Sequence, residues 1–167
     1  MVINEVKANI EEWLINFLEV PHPALGNWSP CPYARKARLA NKYSVRIGTS
    51  LAQDMINVAE EGMGNQDVYI YVYNPDDYDP EEFEDTIDNA NEETLVPIDM
   101  LALSDHPGVP EVVNGVKFNH GKYALALVQS RSKLHSHAKI LGKKGFYDNW
   151  DEEYLTGLFS NREDPRL

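Results

Sequence analysis

Apolar side chains recur at helical spacing from the first residues of the chain. Val2, Val6, Ile10, Trp13, Leu14, Phe17 and Leu18 fall on one face, with Glu5, Lys7, Glu11, Glu12 and Asn16 between them, which predicts an amphipathic helix that Pro21 and Pro23 end. A proline-rich loop runs to Pro30. Pro32 then opens a second predicted helix, Tyr33 to Asn41, built from Ala, Arg, Lys and Leu. Alternation over Tyr43 to Ile47 predicts a strand. Ser50 with Gln53 reads as a capping box for a helix that turns Leu51, Met55, Val58 and Ala59 inward, and Gly62 and Gly64 close it. Val68 to Tyr73 is almost wholly β-branched or aromatic, the pattern of a central strand covered on both faces.

Further along, Pro80 starts a helix to about Asn91, and Ile98 to Leu103 reads as a buried strand. The stretch from Gly108 to Gly121 is loop, with a short extended piece at Val112 to Val116. Tyr123 to Val128 is a strand and Ser132 to Lys143 a helix. Asp148 caps a last short helix whose Trp150, Tyr154, Leu158 and Phe159 fold back on the body. This order predicts an α/β fold, with α+β as the other possibility. The expected architecture is a four-stranded mixed sheet with helices packed on it, preceded by two N-terminal helices. One globular domain is expected over residues 1–160, with a flexible tail at 161–167.

Composition narrows the function. The 167 residues are 43% hydrophobic, enough for one core, and 27 acidic residues against 15 basic ones give a net charge of −12. That charge opposes neutralisation of phosphates, so nucleic acid and anionic membrane surfaces are poor partners, and a small molecule or a protein partner is expected. One cysteine cannot form an internal disulfide, and the start of the chain lacks a basic segment followed by an apolar one. No apolar run approaches the roughly 20 residues that span a bilayer. The expectation is a soluble cytoplasmic protein. Neither a cofactor nor an oligomeric state is written in the residues.

The lone cysteine, Cys31, lies between Pro30 and Pro32, at or beside the N-cap of the second predicted helix. Unpaired amides and the positive end of a helix dipole favour a thiolate there. Arg35, one turn on, is the candidate anion stabiliser, with Lys36 and Arg38 nearby. The competing reading is a buried apolar cysteine. Ser104-Asp105-His106-Pro107-Gly108 follows a predicted strand, where open α/β sheets place ligands, which makes His106 a candidate acid or base; the competing reading is a polar turn.

Other constellations are weaker. His135 and His137 are two apart on a helix and face different directions, and the chain shows none of the usual metal-ligand spacings. The acidic run from Asp76 to Glu93 reads as a solvated helix start, since Glu82 occupies the place where a calcium loop needs glycine. No phosphate-cradling loop or nucleophile elbow is present. The leading expectation is a small-molecule enzyme using Cys31 as thiolate in redox or nucleophilic chemistry. Its rival is a non-catalytic binding or assembly protein that engages a partner through its acidic face and residues such as Trp28 and Trp150.

Two resemblances attach to these residues. Cys31-Pro32-Tyr33-Ala34 resembles the Cys-Pro-Tyr-Cys segment of glutaredoxins, with Ala34 in place of the second cysteine; the resemblance implies that Cys31 is an attacking thiol. Trp13-Leu14, Cys31-Pro32-Tyr33-Ala34 and Asp105-His106-Pro107, in that order, are similar to an uncharacterised, mostly bacterial family with Trp-Leu, Cys-Pro-Phe-Ala and Phe-His-Pro motifs, Asp105 replacing the Phe. That resemblance implies that Cys31 and His106 belong to one site.

Overall fold

The computed structural model describes residues 1–160 and 162–165. Its centre is a mixed sheet of four strands, β1 (Tyr43–Ile47), β2 (Val68–Tyr73), β3 (Met100–Asp105) and β6 (Ala124–Ser130), in the order β1-β2-β6-β3. A small hairpin, β4 (Val112–Val113) and β5 (Val116–Lys117), interrupts the connection between β3 and β6. β1 runs parallel to β2, while β6 is antiparallel to both of its neighbours. The fold is α/β, as the pattern predicts.

The helices are α1 (Ile3–Trp13), α2 (Ala34–Leu39), α3 (Leu51–Glu61), α4 (Pro80–Ala90), α5 (Arg131–Lys143) and α6 (Glu152–Leu158). Wider helical turns prolong α1 through Leu14–Leu18 and α4 through Asn91–Leu95. The second N-terminal helix is only six residues long and starts at Ala34, so Pro32 lies in the turn before it rather than in its first turn.

Two predicted caps are replaced. Asp54, not Ser50, holds the start of α3: its carboxylate accepts from the Thr49 N–H at 2.9 Å and from the Tyr73 hydroxyl at 2.8 Å. Asp151, not Asp148, precedes α6, and its carboxylate accepts from the Asn114 N–H at 2.8 Å. β3 begins two residues later than predicted. The helical turns after α4 continue through Ile98 and end on Asp99, whose φ of 63° turns the chain. The shift carries β3 to Asp105.

Alternation along the strands sorts the sheet into two faces. On one, Tyr69, Tyr71, Tyr73, Met100, Ala102, Ala124, Ala126 and Val128 meet Leu51, Met55 and Val58 of α3 and Phe83 and Ile87 of α4. On the other, Val45, Ile70, Val72 and Leu125 meet Val6, Ile10 and Leu14. The small alanines of β6 on the first face let the tyrosines of β2 and Phe83 of α4 fit beside them.

β3 is an edge strand, and Asn91 finishes its backbone. The Asn91 amide donates to the Ala102 carbonyl at 2.9 Å and accepts from the Ala102 N–H at 2.8 Å, as a neighbouring strand would. Past α1, the second face continues as Leu101, Leu103, Leu127 and Gln129. The C-terminal segment stands over that part as a separate aromatic layer, in which Leu141, Phe146, Tyr147, Leu155 and Phe159 pack with Trp28, Tyr33 and Trp150.

Residues 162–165 lie against α5 and α6. Arg162 is 4.8 Å from the Phe159 ring centre, and Glu163 pairs with His135 at 3.0 Å. Asn161, Arg166 and Leu167 of the predicted tail fall outside the described residues. Among the described residues no helix is long and apolar enough to cross a membrane.

Candidate ligand cavity

The aromatic layer does not close onto the sheet. Between them lies a cavity of about 590 Å³, within the range of pockets that hold small molecules. Leu101, Leu103 and Leu127 form its floor, while Leu134 and Leu141 of α5, Phe146, Trp150 and Leu158 form its roof. The hairpin region contributes Phe118, and α1 contributes Trp13. Phe118 and Trp150 meet edge to face at 5.5 Å, and Trp150 meets Tyr154 at 5.6 Å, so the aromatic rings brace one another. A second depression, of about 460 Å³ beside β1, is lined by Lys7, Glu11, Asn41 and Arg46 among others and has no such apolar wall.

Cys31 lines the large cavity and is exposed. Its N–H donates to the Leu18 carbonyl and its carbonyl accepts from the Ala34 N–H, each at 3.1 Å, which ties the turn to the end of the α1 extension. The thiol titrates above the ordinary cysteine value. Crowding by surrounding atoms desolvates the charged form most, and Glu19 adds to this, while the Tyr33 and Ala34 amides oppose both. Accessible area governs whether a reagent reaches the sulfur; crowding governs how well water screens its charge. The residue is therefore exposed, while its thiol favours the neutral form.

Two predicted partners of Cys31 lie elsewhere. Arg35 is exposed and is not part of the cavity wall. His106 is buried, with a relative exposure of 5%, and follows Asp105, so it turns to the α3 and α4 side of the sheet, where it meets Phe83 at 5.5 Å. Its Nε2 lies 3.1 Å from the carbonyls of Pro75 and Tyr78, and its Nδ1 accepts from the Gly108 N–H at 2.9 Å. These contacts fix Nε2 as the protonated nitrogen and occupy both ring nitrogens with backbone groups. His106 thus ties the turn after β3 to the turn before α4. The sheet separates it from Cys31.

Asp105, named above only as part of the turn, faces the cavity instead. Its carboxylate accepts from Asn119 Nδ2 at 2.8 Å and from the His120 N–H at 2.9 Å, and burial still holds its pKa above the usual aspartate value. Asn119 also accepts from the Glu111 N–H at 2.7 Å, which brings Glu111 to the same end of the cavity. Glu111 accepts a hydrogen bond from Tyr154, and burial raises its pKa as well. Glu84 and Asp88 of α4 reach the wall past the edge of β3, and both are likewise raised by desolvation.

The roof carries further polar groups. Tyr147 is pushed up to about 12 by burial, and Arg162, which donates to the Leu158 carbonyl at 3.3 Å, is lowered by it. His137 stacks on Tyr33 at 3.8 Å, and burial lowers its pKa. Among the described residues no three His, Cys, Asp or Glu side chains are placed to hold one metal ion.

Sequence reasoning singled out Cys31 but missed Asp105, Glu111, Tyr154 and Arg162. For Asp105 a signal existed, since period-two alternation from Leu101 through Leu103 puts it on the same face. For the others, assembly depends on how residues 106–162 fold over the sheet. No protein-family model, curated protein or solved structure matches this chain.

Proposed function

We propose that this protein binds a small, largely apolar molecule between its sheet and its C-terminal aromatic layer, with Cys31 presented to the ligand from the cavity wall. The observation that supports this reading is the standing-off of two apolar surfaces that a tightly packed core would bring into contact. The floor leucines and the roof aromatics border a partly open cavity of about 590 Å³. A few polar groups at the margin give a site of this kind its orientation.

A resting-thiolate enzyme has less support in the geometry. The Tyr33 and Ala34 amides favour the anion, but desolvation outweighs them, and neither Arg35 nor His106 faces the sulfur. The assembly reading has less still, because Trp28 and Trp150 are engaged in the aromatic layer rather than held out to a partner.

The test uses a neutral aromatic probe, phenylpropanol, followed by indole fluorescence and by protection of Cys31 from iodoacetamide. Saturable binding that slows alkylation, and that disappears in a folded Leu103→Trp variant whose indole fills the floor, is the expected result. Binding that survives Leu103→Trp, or no binding in the native chain, contradicts the proposal.

A further inference from the structure

The charges around the cavity are one-sided. Among the described residues, Glu84, Asp88, Asp105 and Glu111 line it, against the guanidinium of Arg162 and no lysine. The carboxylates are spread over α4, the end of β3 and the loop that follows, so three separate parts of the chain turn acid toward one partly open cavity. Asp105 and Glu111 stand at the same end, joined through Asn119. Phe118 and Tyr154 lie beside Glu111, the first through its N–H on the Glu111 carbonyl and the second through its hydroxyl, and Trp13 also lines the cavity. Aromatic faces attract cations through their quadrupole, and carboxylates complete such a site by charge.

Resting on the cavity reading above, we infer that the ligand is an organic cation, an ammonium group on an apolar body. The body lies against the floor leucines, and the ammonium lies at the end held by Asp105, Glu111 and the aromatic rings. A neutral ligand offers the carboxylates of the cavity wall no charge in return, and an anionic one meets them directly. The chemistry fits a substituted alkyl or aryl amine. A bare metal ion does not use an apolar floor and finds no three-ligand cluster among the described residues.

Isothermal titration calorimetry with three probes of one shape, phenylpropylammonium, phenylpropanol and phenylpropanoate, tests the inference. The ammonium is expected to bind at least about tenfold more tightly than the alcohol, a difference of about 1.4 kcal/mol, and the carboxylate to bind most weakly. The preference is expected to fall in Glu111→Gln. The double variant Glu84→Gln/Asp88→Asn, altered only on the partly accessible wall of α4, carries the same expectation if Glu111→Gln misfolds. Equal or tighter binding of the alcohol or the carboxylate overturns the inference and leaves the cavity reading standing. A tight ammonium complex that is unchanged in both variants also overturns it, by placing the cation elsewhere. Heat from none of the three overturns it as well, and the Leu103→Trp experiment then decides the cavity reading separately.

Discussion

Cys31 sits where two influences on a thiol compete, and the outcome sets its chemistry. Amides before α2 favour the anion, but crowding and Glu19 favour the neutral form and prevail. Alkylation of Cys31 is therefore expected to reach half its limiting rate above the free-thiol pKa of about 8.5; a midpoint below that value, read from iodoacetamide kinetics, contradicts the assignment. Glu111 offers a second residue-level test. Its folded pKa is raised, so its contribution is complete below the ordinary glutamate value and is lost as pH rises through the folded value. Glu111→Gln keeps an acceptor for Tyr154 and removes the charge. It is expected to raise the melting temperature at pH 7 by about 2 °C and to leave it unchanged at pH 4; a loss at pH 7 shows that the charge itself is stabilising. Gly48 is fixed by packing: a Cβ there meets Tyr73 Cε1 at 2.0 Å, and the Tyr73 ring is anchored by Asp54 and by Phe83. Gly48→Ala is expected to cost about 2–3 kcal/mol in denaturant unfolding, and a change below about 0.5 kcal/mol shows that the ring moves aside.

At the scale of elements, the edge of β3 depends on one side chain. Asn91, in the wide turn after α4, satisfies both backbone groups of Ala102 in a buried setting. Asn91→Ala leaves them without partners and is expected to cost about 2–4 kcal/mol, read from chemical denaturation; a cost under about 1 kcal/mol implies that water takes the place of the amide. Most strands and the long helices were legible in the sequence because each buries a face of regular period. β2 was legible on other grounds, as a run of β-branched and aromatic residues covered on both faces, with five of its six residues buried. The ends of elements were not legible. Asp54 holds α3 through a tyrosine from β2, and Asp151 is engaged by Asn114 from the hairpin, so the groups that choose those ends are distant in the chain. Ser50 and Asp148 had the right chemistry nearby and lost to those contacts. α2 is shorter than its composition suggests because its favourable residues find little apolar surface to cover; none of its six residues is buried.

For the whole molecule, the candidate site is a product of layering rather than of a motif. α1 covers half of one sheet face, and the C-terminal helices roof the other half at a distance set by large aromatic side chains packed among themselves. The sequence shows the aromatics and the leucines but not the space between them, which exists only once residues 131–160 have folded back. His106 illustrates the same limit: strand-end position suggested chemistry, yet one residue of alternation decides that Asp105 faces the cavity and His106 the opposite core. The measurement that bears most directly on this account is a methyl-resolved NMR titration with phenylpropylammonium. Saturable shifts at Leu101, Leu103 and Leu127 in the floor and Leu134 and Leu141 in the roof, with the exposed Leu39 and Ile98 unmoved, are the predicted result. Shifts confined to exposed methyls, or floor and roof methyls that stay fixed at saturating probe, contradict it.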